Sequence, residues 1–286
     1  MLQKSLGLDA DIVMLDLEDS VPVDKKAEGR KKIVDFLKTT NNSGKTFSVR
    51  VNEINSAFAL HDILDLLENC SDKIDSLIIP KVEDVSEIHF VDKLINSVSL
   101  SKGEEIKTGI EVSIESPKGL AKVNELAAAS MRNISLVFGI ADFSSALQMR
   151  MFSLSGHGEN EKEDYPGHKW HYVLSSILIA ARANGLSAID APFGNFGDLD
   201  GLRESAKLSA SLGFDGKWAI HPSQISIINE VFSPTQEQIN FALQAKEYYE
   251  LASKEGKGSV SVDGRMVDGA TYRLALKTLE LVNKKR

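Results

Sequence analysis

Seven short apolar runs recur along the chain, each followed by sequence of helical character, and this rhythm constrains the fold more than any other feature. The runs are Ile12–Leu17, Thr46–Val51, Ser76–Ile79, Gly109–Ile114, Ile134–Gly139, Leu186–Ile189 and Lys217–Ile220. They are nearly continuous in apolar character rather than alternating, as in parallel strands covered on both faces. Helical stretches fall between them, near Lys25–Lys38, Phe58–Asn69, Val85–Val98, Pro117–Ala129, His171–Asn184 and Leu202–Leu212. Repeated βα units require a parallel sheet, either closed into a barrel or open and doubly wound. No glycine-rich dinucleotide fingerprint follows any run. The chain opens in helix-like sequence, Leu2–Leu6, with no strand before it. The expectation is an α/β fold: a TIM (β/α)8-type barrel with its first strand missing, plus a C-terminal helical and flap extension.

Polar residues collect just past these runs: Asp16, Glu18 and Asp19; Arg50; Lys81; Glu115; Asp142; Asp190; His221. In a barrel, reactive groups gather at the carboxyl ends of strands, so the pattern points to an enzyme. Glu115 directly ends the fourth run, and Asp142 follows the fifth after Ile-Ala. Neighbouring parallel strands ending this way place hard anionic oxygens side by side, which suits a divalent cation such as Mg²⁺. The plain structural alternative is a helix N-terminus or a buried ion pair; Ser116-Pro117 does start a helix, with Glu115 near its positive end. Asp16, Glu18 and Asp19 crowd carboxylates into four residues, which is costly without nearby cations or donors. Glu18 and Asp19 are read as supports for metal-bound water, against the alternative of a solvated turn.

Arg50 closes the second run and offers a fork for a carboxylate, which lysine could not copy. Its alternative is pairing with Asp16 or Glu18 across the rim. A metal and an arginine facing one pocket can hold a 2-oxo acid and absorb charge developing on an enolate. Lys81, in Ile-Ile-Pro-Lys-Val, opens a rival chemistry, a Schiff-base aldolase. A metal-binding carboxylate pair would be superfluous to it. His221, in Trp-Ala-Ile-His-Pro, reads as a packed residue whose backbone lines the pocket.

The 286-residue chain is 42% hydrophobic and 26% charged, ordinary for a globular protein. A net charge of −8 argues against a nucleic-acid partner, though not against a small anionic substrate in a local basic pocket. The single cysteine, Cys70, excludes an intrachain disulfide and suggests helix packing. No apolar run reaches the roughly 18 residues that span a bilayer, and the start does not read as a signal peptide. The expected location is the cytoplasm, with no membrane partner. Residues 150–169 form a long, polar, glycine-bearing stretch of the kind that is functional on the catalytic side of a barrel. Past the last strand come two helical segments, near 222–231 and 235–254. A Ser-Val-Ser-Val run between glycines (256–268) then reads as a flap or hairpin before a final helix. The division expected is 1–221 for the barrel and 222–286 for the extension.

At these residues a family resemblance emerges. Leu-Asp-Leu-Glu-Asp-Ser-Val (15–21), Val-Arg-Val-Asn (49–52), Ile-Pro-Lys-Val (79–82), Ile-Glu-Ser (114–116), Gly-Ile-Ala-Asp-Phe (139–143), Gly-Lys-Trp-Ala-Ile-His-Pro-Ser-Gln-Ile (216–225) and Asn-Glu-Val-Phe-Ser-Pro (229–234) resemble the citrate lyase β-subunit-like (HpcH/HpaI aldolase) superfamily. Trp-His-Tyr (170–172), Ala-Ala-Arg-Ala-Asn-Gly-Leu (180–186) and Ile-Asp-Ala-Pro-Phe-Gly-Asn-Phe (189–196) look most like its malyl-CoA lyases. The resemblance runs from residue 2 to the C-terminus. It implies a TIM barrel holding Mg²⁺, or Mn²⁺ in its place, through Glu115 and Asp142. Arg50 would touch glyoxylate or malyl oxygens, while Ala141, Asp142, Ile220 and His221 line the substrate and CoA path. Lys4 falls where the family places a basic contact to CoA phosphate. Asp268 matches an acid delivered on a neighbouring subunit's flap, so a homo-oligomer, a trimer or hexamer that exchanges residues 222–286, is implied.

The implied activity is a Mg²⁺-dependent carbon–carbon lyase. It would cleave L-malyl-CoA to glyoxylate and acetyl-CoA, and β-methylmalyl-CoA to glyoxylate and propionyl-CoA. The alternatives are a (3S)-malyl-CoA thioesterase or malate-synthase-like enzyme, a citryl-CoA lyase subunit, and a non-catalytic CoA-binding protein. The chain departs from the family pattern in lacking its opening strand and Phe-x-Pro-Gly-Ser-Arg-Pro type turn, which leaves a sheet edge unpaired and a CoA contact missing.

Overall fold

The computed structural model describes residues 2–40, 44–149 and 169–284. The chain divides into two compact units, Met1–Ile228 and Asn229–Arg286. The first carries a parallel sheet of β1 (Ile12–Asp16), β2 (Thr46–Arg50), β3 (Ser76–Ile79), β4 (Gly109–Ile114), β5 (Asn133–Phe138), β6 (Ser187–Asp190) and β7 (Gly216–Lys217). Strand order follows chain order throughout, with every pairing parallel. A doubly wound sheet reverses its order at a switch point, and none occurs among the described strands. Between the strands run α1 (Leu2–Ser5), α2 (Lys26–Thr39), α3 (Ala59–Cys70), α4 (Val85–Lys102), α5 (Pro117–Ala121), α6 (Val123–Ala128), α7 (Ile140–Ala146), α8 (His171–Ala183) and α9 (Leu199–Leu212). None of the described helices is long and apolar enough to cross a membrane.

The apolar strands are buried as their composition requires: every residue of β3 and β4 is inaccessible. One face of the sheet nevertheless carries polar side chains. Glu111 on β4 accepts hydrogen bonds from Ser48 on β2 and Ser76 on β3, at 2.7 and 2.5 Å, and from Ser135 on β5 at 2.8 Å. In a flat sheet β2 and β4 lie about 10 Å apart, so this convergence requires the sheet to curl around that face. Glu111, Ser113 and Glu115 alternate along β4 and its extension, and therefore share the concave side. At the ends of β6 and β7, the Lys217 ammonium meets the Asp190 carboxylate at 2.6 Å, both side chains fully buried.

Two boundaries differ from the sequence expectation, each for a local reason. β7 ends at Lys217 rather than Ile220 because the amides of Ile220 and His221 both donate to the Gln224 side chain. That contact turns the chain into α10 (Pro222–Val231). The single helix expected over Pro117–Ala129 is two, interrupted at Lys122, whose φ of −109° and ψ of 12° leave the helical range. The stretch expected as a loop at 150–169 lies, except for its last residue, outside the described residues.

The second unit holds α11 (Gln236–Lys254), a hairpin of β8 (Ser259–Val262) and β9 (Arg265–Asp268), and α12 (Gly269–Lys284). The hairpin turns on Asp263-Gly264, with φ of +48° and +74°, the left-handed pair that a tight two-residue turn demands. Its small core packs Ala242, Ala245, Val262, Val267 and Ala275 under Phe241, Tyr249, Val260 and Leu279.

The buried Lys217–Asp190 pair gives a stability test. Replacing Lys217 by Met removes the buried cation that faces the Asp190 carboxylate, which destabilises by about 3–5 kcal/mol. Urea unfolding of Lys217→Met followed by circular dichroism reads this; a loss below about 1 kcal/mol, the range of an exposed pair, contradicts it.

Candidate active site

The parallel register sets Asp16, the last residue of β1, opposite Arg50, the last residue of β2. Their side chains form a two-point ion pair, Nε to Oδ1 and Nη2 to Oδ2, both at 2.7 Å. Nη1 reaches Glu18 at 2.9 Å. Beneath the guanidinium lies the Trp218 indole, its ring centre 5.9 Å from Cζ. The fork expected to clasp a substrate carboxylate is thus already filled by Asp16. Two of the five guanidinium N–H groups donate to Asp16, and Nη1 makes a close ion pair with Glu18. Asp16 also accepts from the amides of Glu18 and Ser20. Burial raises its pKa, but Arg50 and these amides outweigh burial and hold the carboxyl below its ordinary range.

Lys81, two residues past β3, brings a second cation. Its ammonium lies 2.8 Å from Glu18 and 3.8 Å from both Asp19 and Asp142. Glu18 is buried between the two cations, and burial, with Asp19 nearby, raises its pKa despite Lys81 and Arg50.

Glu115 ends β4 opposite Gly139, which follows β5, and the Gly139 amide bonds the Ile114 carbonyl. A Cβ on Gly139 would sit 2.3 Å from the Glu115 Cγ. Only glycine leaves room for that side chain over the end of β5. Asp142 stands in the first turn of α7, just beyond. Glu115 is 4% exposed, yet it has no hydrogen bond or ion pair among the described residues. Burial first, then the charges of Glu18 and Asp142, push its pKa up to about 8, against the pull of Arg50 and Lys81.

A cleft of roughly 350 Å³ opens over these groups, lined by Lys81, Glu115, Ser116 and Asp142 with Glu53, Glu83 and Glu87. Among the described residues no three His, Cys, Asp or Glu side chains form a ready-made metal cage. Glu115 and Asp142 nonetheless fit a cation that keeps most of its own water, since Mg²⁺ commonly takes one or two carboxylates and leaves other positions to water and substrate. An orphaned buried carboxylate beside a second acid is the feature such an ion would satisfy.

The structure therefore brings together Glu18, Asp19, Arg50, Glu115 and Asp142, and adds Asp16 and Lys81 from the same rim. Ala141 is exposed at the start of α7 and Lys4 is exposed on α1. Ile220 is exposed, and the exposed His221 ring stacks on Phe196 and meets the Ser223 hydroxyl at 2.8 Å. His221 is therefore not the packed residue expected from the sequence, because its ring turns out to the surface when Gln224 captures its backbone. Asp268 belongs to the second unit and caps α12: one carboxylate oxygen accepts from the amides of Ala270 and Thr271 and from the Thr271 hydroxyl. The Thr271 amide is the main reason its pKa lies below the ordinary value. Trp218 and Gly139 were not singled out from sequence. The signal for Gly139 was present, as a glycine closing one apolar run beside a run closed by glutamate.

A curled, sequentially ordered parallel α/β sheet with an acid-rich rim defines a class of protein, and comparison with known proteins gives the family. The model of the HpcH/HpaI aldolase/citrate lyase family matches residues 1–222. The chain belongs to that family. It is 38% identical over 280 residues to an L-malyl-CoA/β-methylmalyl-CoA lyase of Cereibacter sphaeroides, covering 96% of this chain and 88% of the relative. It is 31% identical to a malyl-CoA/β-methylmalyl-CoA/citramalyl-CoA lyase of Chloroflexus aurantiacus, over 95% and 80% of the two chains. The CitE protein of Mycobacterium tuberculosis, solved with magnesium, acetoacetate and coenzyme A, superposes with a TM-score of 0.72 at 25% identity, over 98% of this chain and 92% of that one.

The raised pKa of Glu115 predicts a pH dependence. From an ordinary 4.5 in the unfolded chain to about 8 in the folded one, the folded state holds the extra proton, so stability falls as pH rises across that window. The metal-free protein is expected to lose urea resistance from pH 5 to 8. The Glu115→Gln variant should lose distinctly less; an identical loss would show that Glu115 is not the group responsible.

Proposed function

We propose that this chain is a magnesium-dependent carbon–carbon lyase that reversibly cleaves L-malyl-CoA to glyoxylate and acetyl-CoA, and β-methylmalyl-CoA to glyoxylate and propionyl-CoA. The observation that carries the reading is Glu115, a buried carboxylate without a hydrogen bond or ion pair among the described residues, placed beside Asp142 at a rim that also presents Arg50. The names of the relatives supply the substrate class. The sheet is the wall of a TIM-type barrel, a reading supported by its unreversed strand order and its reactive groups at strand carboxyl ends. The protein works as a cytoplasmic homo-oligomer.

Glu115 and Asp142 hold the ion, which when bound supplies positive charge to the carboxylate and hydroxyl oxygens of the substrate. Gly139 leaves the space in which Glu115 takes up its position. Arg50, fixed by Asp16, Glu18 and the Trp218 face, cannot swing away; its guanidinium adds positive charge where an oxyanion grows. Fixing the guanidinium in advance matters because no reorganisation is then needed as the charge develops. Glu18 and Asp19 hold the two cations in place and order water at the ion. Ala141, Ile220 and His221 line the path of the thioester, and Lys4 meets a CoA phosphate.

Cleavage requires loss of the hydroxyl proton, rupture of the carbon–carbon bond, and return of a proton to the methyl carbon of the departing enolate. Asp268, supplied by a neighbouring copy, carries that last proton. Its hydrogen bonds keep it a carboxylate at neutral pH, the form that removes the methyl proton in the condensation direction. In cleavage it takes a proton from solvent before passing it to the enolate carbon, and solvent takes up the hydroxyl proton, so protons balance.

Incubating the purified protein with Mg²⁺ and malyl-CoA is expected to release glyoxylate and acetyl-CoA together; free CoA without glyoxylate would identify a hydrolase instead. Asp268→Asn is expected to lower turnover by about a hundredfold or more while leaving metal binding intact. Near-normal turnover in that variant removes the assignment.

A further inference from the structure

The metal reading leaves Lys81 without a role. Its backbone lies in the left-handed region, with φ at +53°, which an L-residue bearing a side chain adopts only when its surroundings impose it. That bend carries the chain from β3 over the cleft, where the ammonium is only partly exposed. The contacts made there are unequal. Glu18 is held at 2.8 Å, a close ion pair, whereas Asp142 is at 3.8 Å, a looser electrostatic contact. Among the described residues the Asp142 side chain has no other ion pair or hydrogen bond, and Glu115 has none. Arg50 is committed to Asp16 and Glu18. One cation therefore leans on the acid pair proposed to hold the metal, and it is anchored elsewhere.

Resting on the metal site proposed above, we infer that Lys81 is an exchangeable counter-ion. In the metal-free protein it holds Asp142 against the repulsion of Glu115 and Glu18, and it cedes that carboxylate when the divalent ion enters. The asymmetry of its contacts makes the exchange feasible. Asp142 is released while Glu18 keeps the ammonium at the edge of the site. Lys81 is thus a positioning residue, and the anchored positive charge next to the ion also opposes it, so this lysine limits the affinity for metal.

The sign of the effect separates this role from a merely structural one. A residue that only props up Asp142 would weaken metal binding when removed; an exchangeable counter-ion would strengthen it. The experiment is an equilibrium Mg²⁺ titration of the full chain by calorimetry, repeated as the Mg²⁺-dependent rise in melting temperature. Lys81→Met is expected to bind Mg²⁺ about tenfold or more tighter than the wild type, because one unit charge is removed within a few ångströms of the ion. Lys81→Asn, which tolerates the left-handed backbone better, is expected to do the same and serves if the Met variant fails to fold. Lys81→Arg, which keeps the charge, is expected to stay close to the wild type. Unchanged or weaker Mg²⁺ binding in the neutral variants overturns the inference. Failure of the metal reading itself would look different: the wild type would bind no Mg²⁺, or Glu115→Gln with Asp142→Asn would leave binding intact.

Discussion

Charge imbalance at one rim of the sheet governs the rest of this structure. Asp16, Glu18, Asp19, Glu115 and Asp142 converge there, and among the described residues only Arg50 and Lys81 are in contact to offset them. The two cations are spent mainly on Asp16 and Glu18, so that among the described residues none pairs with the buried Glu115, and a proton or an external ion would neutralise it. Low dielectric makes that condition expensive. A divalent cation relieves both Glu115 and Asp142 at once, so the same imbalance that weakens the metal-free protein prepares a binding site.

The fold produces this crowding directly. Parallel strands taken in chain order all point the same way, so every β-to-α turn of the first unit opens on one rim. Curling the sheet brings the ends of five of those strands into electrostatic contact, and the Glu111–serine layer beneath shows the same convergence one level deeper. Three hydroxyl donors satisfy Glu111, whereas Glu115 has none among the described residues. The contrast between two glutamates on one strand separates a structural carboxylate from one left available.

Much of this was legible in the sequence because it depends on local pattern. Continuous apolar runs marked the strands, and the carboxylates just past them marked the rim. A Ser-Val-Ser-Val run between glycines marked the flap or hairpin, though not its turn at Asp263-Gly264. What sequence could not supply depends on register and on side-chain competition. The choice between Arg50 binding a ligand and pairing with Asp16 is made by the alignment of β1 with β2. The early end of β7 follows from a glutamine side chain bonding two amides four and three residues before it. The left-handed backbone of Lys81 has no local signature, since the residue is neither glycine nor asparagine. Lys217 and Asp190 find each other only once β6 and β7 are side by side.

Diffraction from crystals soaked in Mn²⁺, collected for anomalous scattering, tests the central claim most directly. The account predicts a manganese peak at the rim of the sheet, with carboxylate oxygens of both Glu115 and Asp142 about 2.1 Å away, close to the distance Mg²⁺ would adopt. A fully loaded crystal in which the ion sits elsewhere, or is bound by neither carboxylate, would contradict it.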